Sequence, residues 1–239
     1  MTTPRSIART RRLAALIVLA LAGTVTLTGC DPRTLIYFLQ PYEPTIPAPG
    51  PSLKGKRVVL VTHAVAGAQG EFQSLDRELT REVATLLRNK VKKIDLVEPD
   101  KVWTWVEGHP NWTDPAELAK AFDADVVVFL EVESFQLQHP SDLNVYQGSA
   151  RTHISVTEMQ YPTNTKGKPI KDKPREPKNI YDDYRDTEFP VRGPIPFDSG
   201  VSRSAFKNRL LKVTAAEISW HFVEHSPEDD IQDVKFNGR

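Results

Sequence analysis

A single cysteine, Cys30, stands just past a short apolar run near the N-terminus, and the 239-residue chain has no other. One thiol can close no internal disulfide, so whatever folds must rest on its own hydrophobic core. The run over 13–27 is preceded by Arg5, Arg9, Arg11 and Arg12, with no acidic residue before Cys30. A basic start, a short apolar middle and small residues before a cut site are the layout of a secretory signal. A membrane-spanning helix would need about 20 mostly apolar residues. This stretch is shorter, carries Gly23, Thr24 and Thr26, and is followed by Thr28. The reading is therefore a signal peptide over 1–29, not a span.

Leu27-Thr28-Gly29-Cys30 resembles the lipobox of bacterial lipoproteins. The resemblance implies that the signal peptidase recognises Leu27, Thr28 and Gly29, cuts after Gly29, and leaves a diacylated Cys30. Several acyl chains on one residue anchor stably, at about 0.8 kcal/mol per buried CH₂. It also implies a chain held at a cell membrane by lipid and facing the periplasm. Asp31 follows the cysteine; in enteric bacteria that residue favours the inner membrane, and the choice between inner and outer stays open. Apart from this covalent lipid, no cofactor is expected.

The full chain has 31 basic and 31 acidic residues; removing the four signal arginines leaves 27 basic against 31 acidic, a formal charge of −4. Nucleic-acid binding calls for a basic face, and this balance argues against it. The expected partners are the membrane, an envelope protein and, in an alternative reading, further copies of the same chain.

After Cys30, residues 35–39 are apolar and suit a place among lipid headgroups. Alternating prolines over 41–51 favour polyproline II. Residues 30–55 accordingly read as anchor and stalk, 56–226 as one domain, and 227–239 as a polar tail. Within the domain, 57–62 is a short continuous apolar run, the pattern of a buried strand. Ser74 is a candidate N-cap, followed by Leu75, Leu79, Val83, Leu86 and Leu87 at helical spacing. A second strand is predicted over 94–98 and a short helix over 99–107. Asp114-Pro115-Ala116-Glu117 is a helix start with cap, proline and third-position acid.

The stretch 125–135 predicts a central strand and 149–159 its hairpin partner. Seven prolines over 161–196 exclude a long helix or central strand there, leaving an insertion with one edge strand over 181–189. Ser202 caps a long last helix predicted to run to about His225, with Phe206, Leu210, Val213 and Trp220 inward. The fold expected is α/β: a mixed sheet in β-α-β-α-β-β-(β)-α order with the C-terminal helix packed on it.

That order, with the strands at Val58 and Ile94, the helix around Leu79 and the passage Leu118-Ala119-Lys120-Ala121-Phe122-Asp123-Ala124-Asp125-Val126, resembles a group of envelope lipoprotein domains. The group comprises the N-terminal domain of the Tol translocation protein, the curli-secretion lipoproteins and the lipoprotein activators of penicillin-binding proteins. The resemblance implies a domain that binds other envelope proteins or assembles with them, rather than an enzyme. Asp123 stands where that group usually has Gly.

Several residue groups are candidates for function. Trp103, Trp105, His109 and Trp112 crowd a short stretch, as either a partner-binding anchor or part of the core. His221, Glu224 and His225 match H-x-x-E-H, which on a helix would place two histidines on one face for zinc with Glu224 as base. This is the zinc-hydrolase alternative; a polar helix end is the plainer one. Glu131 and Glu133 fall on one face of their strand, opposite Arg151 and His153, and cross-strand ion pairs explain them without catalysis. Lys166, Lys168, Lys171, Lys173, Arg175 and Lys178 form a basic run, suited to anionic lipid or cell-wall polymer or simply to solvent. The loop 63–70 lacks the glycine patterns of nucleotide sites.

Overall fold

The structure, a computed structural model, describes residues 44–69, 72–139 and 142–230. The signal peptide, Leu27, Thr28, Gly29, Cys30, residues 35–39 and the end of the tail lie outside the described residues.

Elements follow the order β1 (Arg57–Ala64), α1 (Ala66–Gln69), α2 (Leu75–Lys90), β2 (Asp95–Leu96), α3 (Pro99–Gly108), α4 (Pro115–Ala121), β3 (Val126–His139), β4 (Asp142–Gln160), β5 (Glu176–Phe189), β6 (Ile195–Pro196) and α5 (Arg203–Ser219). The sheet runs β2-β1-β3-β4-β5, with β6 also paired to β4. β1 is parallel to β2 and β3, while β3, β4 and β5 are antiparallel in turn. This is the expected mixed α/β sheet with the last helix packed on it.

β1 is buried on both faces, which is why its sequence is a continuous apolar run rather than an alternation. On one face, Val58 and Leu60 of β1, Val126, Val128 and Leu130 of β3 and Ile154 of β4 pack under α2 and α5. Leu75, Leu79, Val83 and Leu87 of α2 and Phe206, Leu210 and Val213 of α5 close that layer, as their spacing predicts. On the other face, Val59, Val61 and Val127 meet Val102 of α3 and Leu118 and Ala119 of α4. The second layer is small: α3 and α4 cover β1 and the start of β3 and leave the rest of that face without a helix.

Helix starts follow local chemistry. Asp114 caps α4 by accepting from the Ala116 amide at 2.8 Å, with Pro115 at the first position. Ser202 caps α5 through the Ala205 amide at 3.2 Å. Ser74 occupies the cap position of α2, but its hydroxyl donates to Glu78 at 2.6 Å instead of capping an amide. β3 carries a bulge between Val132 and Ser134, so Glu133 is the extra residue. The bulge lets Phe135 follow Val132 into the same core layer.

Three sequence expectations need correction. First, residues 45–53 are not a free stalk but a strap that belongs to the same compact unit as the sheet: Ile46 bridges to His225, and Leu53 is buried. Second, α5 stops at Ser219 rather than His225. The Ser219 hydroxyl donates to the Ala216 carbonyl, and the His221 carbonyl accepts from Gly50 at 2.8 Å, so this strap takes the bond another helical turn would have formed. Third, the edge strand begins at Glu176, five residues earlier than predicted, because Pro177 sits on an outer strand where a missing amide is tolerated.

Candidate partner-binding surface

α3 lies over β1 through Val102, and one helical turn on from it stand Trp105 and Val106. His109 ends the helix; its Nδ1 lies 2.7 Å from the Trp105 carbonyl and its ring stacks on Trp105 at 4.1 Å. Trp112 then meets Trp105 edge-on at 6.3 Å and Phe129 of β3 at 6.0 Å. The result is an aromatic ladder, His109–Trp105–Trp112–Phe129. His109 is exposed and the other three are half-buried. Trp112 and Phe129, with His63 and Glu131, line a cleft of about 460 Å³. Aromatics that keep one face wet are the type of group that anchors protein contacts.

Of the four predicted residues, the fold brings Trp105, His109 and Trp112 together and sends Trp103 elsewhere. Two positions apart on a helix, Trp103 and Trp105 occupy different flanks. Trp103 faces α2, where the Arg77 guanidinium sits 5.0 Å over its ring. Phe129 was missed by sequence reading; its place in an apolar run gave no sign that one face would stay open.

Beyond Phe129 the uncovered sheet face turns polar. The register pairs Glu131 with His153 and His153 with Tyr184. His153 Nε2 lies 2.8 Å from Asp182, Nδ1 lies 3.9 Å from Glu131, and the ring stacks on Tyr184 at 4.6 Å. Arg151 reaches Glu133 at 3.0 Å and Asp186 at 3.3 Å and lies over the Tyr184 ring. The His153 hydrogen bond holds Asp182 below the ordinary carboxylate range. The predicted cross-strand ion pairs are therefore present, completed by Asp182, Tyr184 and Asp186 of β5, which sequence reading did not assign. Four carboxylates share one arginine and one histidine, so the face is acidic.

His221, Glu224 and His225 lie past the end of α5, not on a helix, and so lack the shared helix face that the zinc motif needs. The Tyr181 hydroxyl lies 2.7 Å from His221 Nδ1 and donates to Asp183 at 3.0 Å. Burial, with the Asp183 carboxylate, pushes the Tyr181 hydroxyl above its ordinary value. His225 stacks on Trp220 at 4.3 Å, and Glu224 is exposed. Nearby, buried Glu217 accepts from Arg185 at 2.9 Å and Thr187 at 2.7 Å. Asp183, Arg185, Glu217, Trp220, His221 and His225 line a cleft of about 470 Å³ beside Ile46 and Pro47 of the strap. Among the described residues, no group of three or more His, Cys, Asp or Glu could hold a metal ion.

No protein-family profile matches this chain, and no curated protein matches it. Among solved structures, the chain is similar to the hypothetical protein CT253 from Chlamydia trachomatis, at 16% identity over 70% of this chain and 97% of that one, with a TM-score of 0.40. It is also similar to the lipoprotein GNA1162 from Neisseria meningitidis, at 10% identity over 71% and 99%, with a TM-score of 0.39. A PelC dodecamer from Paraburkholderia phytofirmans is similar at 13% identity over 75% and 96%, with a TM-score of 0.36.

Proposed function

We propose that this chain is a cell-envelope lipoprotein, anchored through Cys30 and facing the periplasm, whose domain acts by binding a protein partner rather than by catalysis. The observation that carries the reading is the aromatic ladder at the border of a sheet face without a covering helix. The ladder offers an apolar anchor, and the adjoining carboxylates favour a partner with a basic contact surface. The second reading, assembly through the edge of β5, has less support. That edge carries Pro177 and a run of charges, the features that discourage strand addition.

The test is crosslinking of the lipidated protein in its native membrane, with recovered partners identified by mass spectrometry. One reproducible partner is expected, lost in Trp105→Ala and Trp112→Ala and kept in Trp103→Ala. Recovery that is indifferent to Trp105 and Trp112, or equally sensitive to Trp103, overturns the assignment of the surface. Light scattering of the purified protein separates a single subunit from a ring or other assembly. Palmitate labelling that persists in a Cys30→Ala chain overturns the anchor.

A further inference from the structure

The end of the sheet where β1 starts gathers lysines. α2 runs antiparallel to β1, so Lys90 and the following Lys92 reach this end, and Lys54 arrives here just before β1. All three line one shallow cleft with the strap. β4 ends and β5 begins at the same end, which places the loop carrying Lys166, Lys168, Lys171 and Lys173 there too. These seven side chains belong to exposed residues, and among the described residues none is paired with a carboxylate.

Four acids of this pole are already engaged. Lys56 holds Glu158 at 2.7 Å, Arg57 holds Asp95 at 2.6 Å, and Arg175 holds Asp123 and Asp125, each at 2.7 Å. Asp172, Glu176 and Glu224 offset only part of the remaining positive charge. The domain is thus polarised, although the mature chain is net acidic.

The strap borders this pole: Pro47, Gly50 and Leu53 line the same cleft as Lys54, Lys90 and Lys92, while Ile46, farther along, pairs with His225 beyond the end of α5. A bilayer that holds the N-terminal side of the chain is joined to the domain through this strap, which borders the basic end. We propose that this pole is a docking face for an anionic lipid surface, a second membrane contact beside the acyl chains, which sets how the domain is presented. The inference rests on the reading of Cys30 as a lipid anchor. One lipid signal plus a basic patch is a sufficient combination for stable attachment, and each lysine close to an anionic surface strengthens binding about fivefold.

The test uses the mature chain from residue 30 with Cys30→Ser, so that acyl chains contribute nothing. Sedimentation with vesicles of one-third phosphatidylglycerol in phosphatidylcholine is compared with pure phosphatidylcholine. Stronger binding to the anionic vesicles is expected, falling steeply with salt. A Lys54→Gln, Lys90→Gln, Lys92→Gln chain is expected to lose about a hundredfold in affinity. A second variant, glutamine at Lys166, Lys168, Lys171 and Lys173, guards against misfolding of the first. Lys101→Gln with Lys212→Gln, away from this pole, should change little.

Equal binding to both vesicles overturns the proposal. So does anionic binding that survives both sets of substitutions, or binding to a soluble polyanion but not to vesicles. Because acylation plays no part in the assay, these outcomes leave the anchor reading to its own palmitate test.

Discussion

The Gly50 amide donates to the His221 carbonyl at 2.8 Å, and a Cβ on Gly50 would be built into that same carbonyl. Backbone cannot move aside as a flexible side chain can. Gly50→Ala is expected to lift the strap at a cost of about 1–3 kcal/mol. Hydrogen exchange at the amides of Ile46 and Gly50 checks it: both should lose protection while β1 and β3 keep theirs. Unchanged protection would show that the strap has room the geometry does not indicate.

Acid should weaken the seating of the strap. Burial holds His221 below its ordinary value of 6.5; Asp183 opposes this and Arg185 adds to it. With the folded value below the unfolded one, the unfolded chain takes up the proton first. The contribution of the neutral ring is therefore complete above about pH 6.5 and declines as pH falls below it. Thermal midpoints measured from pH 7 to pH 5 should drop, and drop less in His221→Gln. An identical decline in both chains would point to another group.

Glu217 is a buried carboxylate held by Arg185 and Thr187. Glu217→Ala leaves both donors without their acceptor and is expected to destabilise by about 2–3 kcal/mol, below the range for fully buried pairs because Arg185 is 36% exposed. Glu217→Gln, which keeps an acceptor, should cost less. Urea unfolding distinguishes the two, and equal costs would argue against the ion pair.

Asp125 ties the basic loop to the sheet: one oxygen takes the Arg57 amide at 2.9 Å and the other takes Arg175 at 2.7 Å. Asp125→Ala should leave Arg175 held by Asp123 alone and loosen the loop toward trypsin, with cleavage at its lysines faster by about tenfold for each 1.4 kcal/mol of tethering lost. Cleavage at the native rate would mean that the loop is held by other contacts.

The parts of this fold that were legible in the sequence are those whose signal is local. Asp114 and Pro115 announce α4, the spacing of Leu75, Leu79, Val83 and Leu87 announces the buried side of α2, and the alternation of 149–159 announces a hairpin strand. The parts that were not legible depend on distant partners. Nothing near Ile46 says that its amide will meet the His225 carbonyl, so a proline-rich segment that belongs to the domain reads as a stalk. The same partnership ends α5 early and removes the histidines from the helix that their spacing suggested. At the candidate surface, the helix phase of Trp103 and Trp105 puts them on different flanks, a signal that grouping all four residues left unused. The open face beside Phe129 depended instead on how little of the sheet α3 and α4 cover.

The strap also decides how the domain would respond to force. Tension arriving from the N-terminal side meets the rung between Ile46 and His225 first, then the one between Gly50 and His221, and only then the buried Leu53 that precedes β1. The first two rungs can peel one after the other, as a zipper opens, before any load reaches the central sheet. A tethered domain built this way yields a few residues of slack at low force, and its core stays folded while they pay out.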